Sequence, residues 1–125
     1  MTLLASLPLA LSIAASPAPA LAIAAPGGML GVLETGVYRC FLPGDAAGEA
    51  RRVVAEEGFT ITNSSTYTSG DDWGTYLLTG KRVVISRGPM KGATYLRESR
   101  TSLRKLDTDG RPSRLLCTRI APPPR

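Results

Sequence analysis

The sequence predicts an all-β domain: a small antiparallel meander of about seven strands, curled into a barrel or half-barrel and closed by one disulfide. Three observations predict it. Short runs rich in β-forming residues recur at hairpin spacing from Gly36 onward. Gly-containing turn signals separate these runs, and none has the length and period of a long amphipathic helix. The two cysteines, Cys40 and Cys117, fall in the first and last runs. A bridge between them closes the sheet on itself and shields its edges.

Taken in order, Gly36 to Leu42 is the first strand, and Pro43-Gly44-Asp45 ends it as a turn. With period 2, Tyr38, Cys40 and Leu42 share one face. Ala46 to Glu57 is ambiguous. Its Ala and Glu residues favour helix, while Gly48 and Gly58 limit its length, so a short helix or irregular loop is expected. Phe59 to Thr62 alternates apolar and polar. Asn63-Ser64-Ser65 is a turn that also spells a glycosylation sequon, and Tyr67 follows it. Thr75 to Leu78 and Arg82 to Ser86 flank Thr79-Gly80-Lys81, a tight hairpin. Gly88 to Gly92 is another turn. Ala93 to Glu98 and Ser102 to Leu106 are further strands. Asp109-Gly110 signals a hairpin before the last strand, Ser113 to Ile120. The prolines of 121–125 cannot continue a sheet, so a disordered tail is expected there.

The first charged residue is Glu34. Leu3 to Ala15 is an apolar run of the length of a signal-peptide core, followed by small-residue triplets that fit a cleavage pattern. Pro8, Pro17, Pro19 and Pro26 interrupt the apolar stretch, which disfavours a spanning anchor. The usual N-terminal Lys or Arg is missing. The expected organisation is a signal peptide over 1–22, a flexible leader over 23–35 and a β domain over 36–120. Export makes a Cys40–Cys117 disulfide the natural reading of the two cysteines. In a domain of about 100 residues, a loop that long adds roughly 4 kcal/mol in the chain-entropy model. A periplasmic or secreted location follows.

The net charge of +5 is unevenly spread. Between Glu34 and Gly80 the balance is acidic. From Lys81 onward Lys and Arg recur every few residues, opposed only by Glu98, Asp107 and Asp109. Arg82, Arg87, Lys91, Arg97, Arg104 and Lys105 are the candidate anionic-ligand surface. Arg97 and Arg104 are expected to project outward, with Arg82 and Lys105 nearby. Aromatic residues are not interleaved with these charges, so nucleic acid is not the expected partner. Trp73 has polar, turn-like neighbours and is read as a lid on the barrel, or else as an exposed aromatic anchor.

The chain has 0 histidines. Catalytic triads and Cys–His pairs are therefore impossible, and the commonest metal ligand is missing. Asp71-Asp72 and Glu56-Glu57 are adjacent pairs; strand neighbours point to opposite faces, so both read as solvated loops. No cofactor, no metal and no enzymatic activity are expected.

Three pieces carry a resemblance: Gly36-Val37-Tyr38-Arg39-Cys40, Gly74 to Gly80 as GxYxLxG, and Gly88-Pro89-Met90-Lys91-Gly92 as GPxKG ahead of Leu116-Cys117. Together they resemble a group of small secreted or periplasmic proteins of high-GC proteobacteria, some labelled elongation factor P. That resemblance implies location and fold more than activity. The label implies a cytosolic, three-domain translation factor, which a single domain with a leader does not match. The chain is also similar to periplasmic C-type lysozyme inhibitors, which are small exported barrels opening with a YxC strand and ending near a second Cys. Gly74-Thr75-Tyr76 and Lys91-Gly92 are the loose counterparts of their loops. The function expected is therefore a monomeric, non-enzymatic envelope protein, a binding or structural module. Its partner is an anionic envelope component such as lipopolysaccharide or anionic phospholipid, or a periplasmic protein. The alternative is a lysozyme-inhibitor-like role.

Overall fold

Alternation of apolar and polar residues sets the inward and outward faces of every strand, and the turns set their order. The computed structural model describes Leu3, Ala10, residues 30–44, Gly48 and residues 50–124. Among these residues ten strands form: β1 (Leu30–Gly31), β2 (Gly36–Pro43), β3 (Arg51–Val53), β4 (Phe59–Ile61) and β5 (Thr66–Ser69), then β6 (Asp72–Thr79), β7 (Arg82–Arg87), β8 (Thr94–Ser99), β9 (Ser102–Leu106) and β10 (Pro112–Ala121). Eight of them pair in the order β6-β5-β4-β2-β10-β9-β8-β7, and β7 pairs back to β6, so the barrel is closed and every pairing is antiparallel. β1 lies against β6 and β3 against β2, outside the ring.

The predicted barrel and its disulfide are present. Cys117 stands directly opposite Cys40 in the β2–β10 ladder, and the two are bonded across 77 residues of chain. The expected count of about seven falls one short of the closed ring. The strand that escapes is β5, whose Tyr67 is its only buried residue among polar neighbours. Gly80 takes a φ of 61° in the two-residue turn between β6 and β7, a conformation that favours glycine.

The core is the barrel interior. Tyr38 stacks on Phe59 with ring centroids 5.3 Å apart, and Phe59 meets Tyr95 at 5.8 Å. Tyr67, Leu78, Val83 and Leu103 fill the rest and are almost completely buried. Burial of this kind dominates the folding free energy of so small a domain.

Two local expectations are corrected. The fold includes residues 30–35 ahead of Gly36, because Leu33 plugs one end of the barrel and is only 3% exposed. Its N–H donates to Tyr76 Oη at 3.0 Å, and Tyr38 Oη donates to the Glu34 carbonyl at 2.8 Å. The residues 30–35 of the expected flexible leader therefore belong to the fold. In the segment 46–57, Ala46, Ala47 and Glu49 lie outside the described residues. Its remainder gives β3 and a 3-10 turn at Ala55–Glu57 instead of an α-helix. β3 forms because Phe41, Leu42 and Pro43 offer it a free ladder edge opposite Val53, Arg52 and Arg51. The expected signal peptide lies outside the described residues, apart from Leu3 and Ala10. At the other end β10 extends to Ala121, the first residue of the expected tail, and Arg125 lies outside the described residues.

Candidate ligand-binding surfaces

Strand register decides where each cation goes. Residues directly opposite in a ladder share a face. Tyr95 faces Lys105, and Arg97 faces Leu103, so both cations turn toward the interior side with buried neighbours. The expectation that Arg97 projects outward and that Lys105 joins it is thus overturned. Arg97 sits at the Leu33 end, where its guanidinium donates to the Ser99 and Arg100 carbonyls at 3.3 and 3.4 Å. Lys105 sits at the opposite end, and its Nζ lies 2.9 Å from Glu57 Oε2. Glu57, read from the sequence as a solvated loop residue, is half-buried by this pairing. Arg104 does face outward, but its guanidinium grips both Glu98 carboxylate oxygens at 3.0 and 3.2 Å. Such bidentate pairing leaves little free charge for a ligand.

Arg82, Arg87 and Lys91 remain. All three are exposed, and among the described residues none has a carboxylate within ion-pairing distance. Arg82 and Arg87 close the two ends of β7, and Lys91 lies in the turn that follows. Trp73 is 65% exposed on the outside of β6, so it anchors no lid over the barrel. Its outward position follows from Gly74 and Tyr76, which take the inward sites of that strand.

The Lys105 end is the barrel mouth. A cleft of about 660 Å³ between Leu42, Val54, Leu106 and Leu115 opens on one side of the Lys105–Glu57 pair. A second of about 630 Å³ opens on the other, walled by Met90, Lys91 and Ala93. Beneath them Tyr67 Oη is fully used, donating to the Arg87 carbonyl at 2.9 Å and accepting from Met90 N–H at 3.0 Å. Tyr95 Oη is buried without a hydrogen-bond partner. Burial, and next the Glu57 carboxylate, push its ionisation upward. At the plugged end burial, reinforced by Glu34, pushes Tyr38 up to about 12. Raised in this way, neither Tyr38 nor Tyr95 is poised to act as a base near neutral pH. Among the described residues no group of three or more His, Cys, Asp or Glu residues is placed to hold a metal ion. No helix among them is long and apolar enough to cross a membrane.

Sequence reasoning passed over the outward apolar residues. Leu77 and Val84 face each other on the outside of the β6–β7 hairpin, while Leu78 and Val83 face each other inside. The signal was present: where two apolar residues are adjacent in a half-buried strand, one must point to solvent. The turn Gly88–Gly92 and the segment Gly74-Thr75-Tyr76, distant in sequence, also meet. A Cβ on Gly88 would stand 2.6 Å from Gly74 Cα and 2.7 Å from Tyr67 Oη, so only glycine fits at this crossing.

Comparison with known proteins finds no match: no family model, no curated protein and no solved structure corresponds to this chain.

Proposed function

We propose that this protein is an exported, non-enzymatic binding module that recognises anionic envelope components through the outside of its barrel. The observation that carries the reading is the set Arg82, Arg87 and Lys91, exposed cations with no carboxylate partner among the described residues. Two guanidinium groups at the ends of β7 and one ammonium group in the turn after it, left unneutralised, attract phosphate and carboxylate groups at low energetic cost. The disulfide supports an oxidising compartment, since such bonds persist outside the cytosol. A signal peptide over 1–22 and a periplasmic or secreted monomer complete the proposal.

Binding to lipopolysaccharide micelles and to phosphatidylglycerol vesicles, measured at low and high salt, tests it. Binding to either that weakens as salt rises is the expected result. Absence of binding to both at low salt overturns it.

A second reading is favoured by the meeting of Gly74 with Gly88. This joins Gly74-Thr75-Tyr76 to the start of the turn that ends in Lys91-Gly92, and these are the two stretches similar to loops of periplasmic C-type lysozyme inhibitors. Tyr76, however, points inward and is buried. Full C-type lysozyme activity in the presence of micromolar protein excludes this reading.

A further inference from the structure

We infer that the outer wall formed by β1, β6 and β7 docks on the surface of an anionic phospholipid bilayer. This inference rests on the function proposed above and names both the face and the source of the anion.

The outward positions of β6 are Trp73, Thr75, Leu77 and Thr79, and those of β7 include Arg82, Val84 and Ser86. Not one is acidic. Leu77 is 49% exposed and lies opposite Val84. β1 extends the wall: Leu30 lies opposite Thr79 and is 70% exposed, and Val32 beyond it is 55% exposed. Arg82 stands opposite Thr79 and Arg87 opposite Thr75, so a cation flanks the apolar centre on each side along β7. Lys81, in the turn between the two strands, adds a third exposed charge. Asp72 lies only at the far edge, opposite Ser69.

Among the described residues, four of the seven large apolar side chains left exposed therefore share one wall with cations that have no carboxylate partner. The wall is the convex outside of a barrel, and Thr75, Thr79 and Ser86 separate its apolar side chains. A fluid interface needs no groove. Leu, Val and Trp side chains enter the headgroup–acyl boundary one by one, while Arg heads stay level with phosphates. The charge sign selects an anionic leaflet.

The chain has one Trp, and it lies on this wall, so intrinsic fluorescence reports the contact directly. The experiment titrates the folded protein with vesicles of pure phosphatidylcholine and with phosphatidylcholine–phosphatidylglycerol mixtures, with brominated acyl chains as quenchers. Three variants accompany it. Leu77→Glu charges the apolar centre. Arg82→Glu/Arg87→Glu inverts the flanks. Arg114→Glu makes the same kind of charge change on β10, across the barrel. All four positions are exposed and outward, so the fold survives, and far-UV circular dichroism verifies that.

The expected result is a blue shift and bromine quenching with the anionic mixture only. Affinity should fall by about fivefold for each cation removed, and further on inversion, in the β7 double variant. It should fall by about tenfold or more in Leu77→Glu. Arg114→Glu should stay near wild type. If Leu77→Glu and the double variant bind like wild type, or if Arg114→Glu loses as much, this wall is not the docking face, although anion binding stands. If lipopolysaccharide binds and phosphatidylglycerol vesicles do not, the bilayer inference falls and the proposed function survives. If neither binds, both fall.

Discussion

Lys105 Nζ lies 2.9 Å from Glu57 Oε2, joining residues 48 positions apart at the mouth of the barrel. This one pair removes Lys105 from the basic outer surface that composition suggests. Both side chains keep about a third of their surface in water, so the pair contributes little to stability: Lys105→Met should cost less than about 1 kcal/mol by urea unfolding. It should also leave binding to anionic vesicles unchanged. A large drop in vesicle affinity would return Lys105 to the binding surface.

Leu33 is the plug of the opposite end. Removing its side chain opens a void under Tyr38 and Tyr76 that the closed barrel cannot collapse to fill. Leu33→Ala should destabilise the domain by about 2–4 kcal/mol. Leu30→Ala, on an exposed side chain three residues earlier, should change stability by no more than about 0.5 kcal/mol. Equal, small effects at both positions would mean that 30–35 is a leader outside the folded unit.

Tyr95 and Tyr76 offer a paired test of hydrogen-bond accounting. The Tyr95 hydroxyl is buried without a partner, so Tyr95→Phe removes an uncompensated group and should raise stability by about 1 kcal/mol. The Tyr76 hydroxyl accepts from Leu33 N–H and donates to the Asn63 carbonyl at 3.3 Å. Tyr76→Phe should therefore lower stability by about 1–2 kcal/mol. Denaturant midpoints of the two variants should move in opposite directions.

The same tyrosines set an alkaline limit. Burial raises the ionisation of Tyr38, Tyr76 and Tyr95 in the folded state, Tyr38 to about 12 from an ordinary 10.0. Below the ordinary value both states keep the proton and stability is fully present. Above it the unfolded chain releases the proton first, so stability falls as pH rises. The urea midpoint should thus hold to about pH 10 and fall toward about pH 12. A midpoint that rises over that window contradicts the burial of these hydroxyls.

Much of this fold was legible because it is written in local patterns. Alternation placed Tyr38 and Cys40 on one face, and Thr79-Gly80-Lys81 and Asp109-Gly110 fixed two hairpins. The cysteines predicted the closure that the β2–β10 register delivers. What escaped depended on distant partners. β3 exists only because β2 leaves an edge open beside Phe41 to Pro43. Leu33 is buried only because the barrel has an end to plug. The direction of Arg97 and Lys105 is fixed by the parity of β8 and β9 against Leu103, which composition does not reveal. Trp73 was narrowed to two readings, and the inward places of Gly74 and Tyr76 decide for exposure. Leu77 and Val84 could have been read as outward from the doublets Leu77-Leu78 and Val83-Val84.

Whether the Cys40–Cys117 barrel is exported, as proposed, can be read from the intact mass of the protein purified from its host without reductant. The expected mass lacks the leader and two further hydrogens. Full-length chain with two free thiols would contradict it, and would withdraw the envelope as the place where the ligand is to be sought.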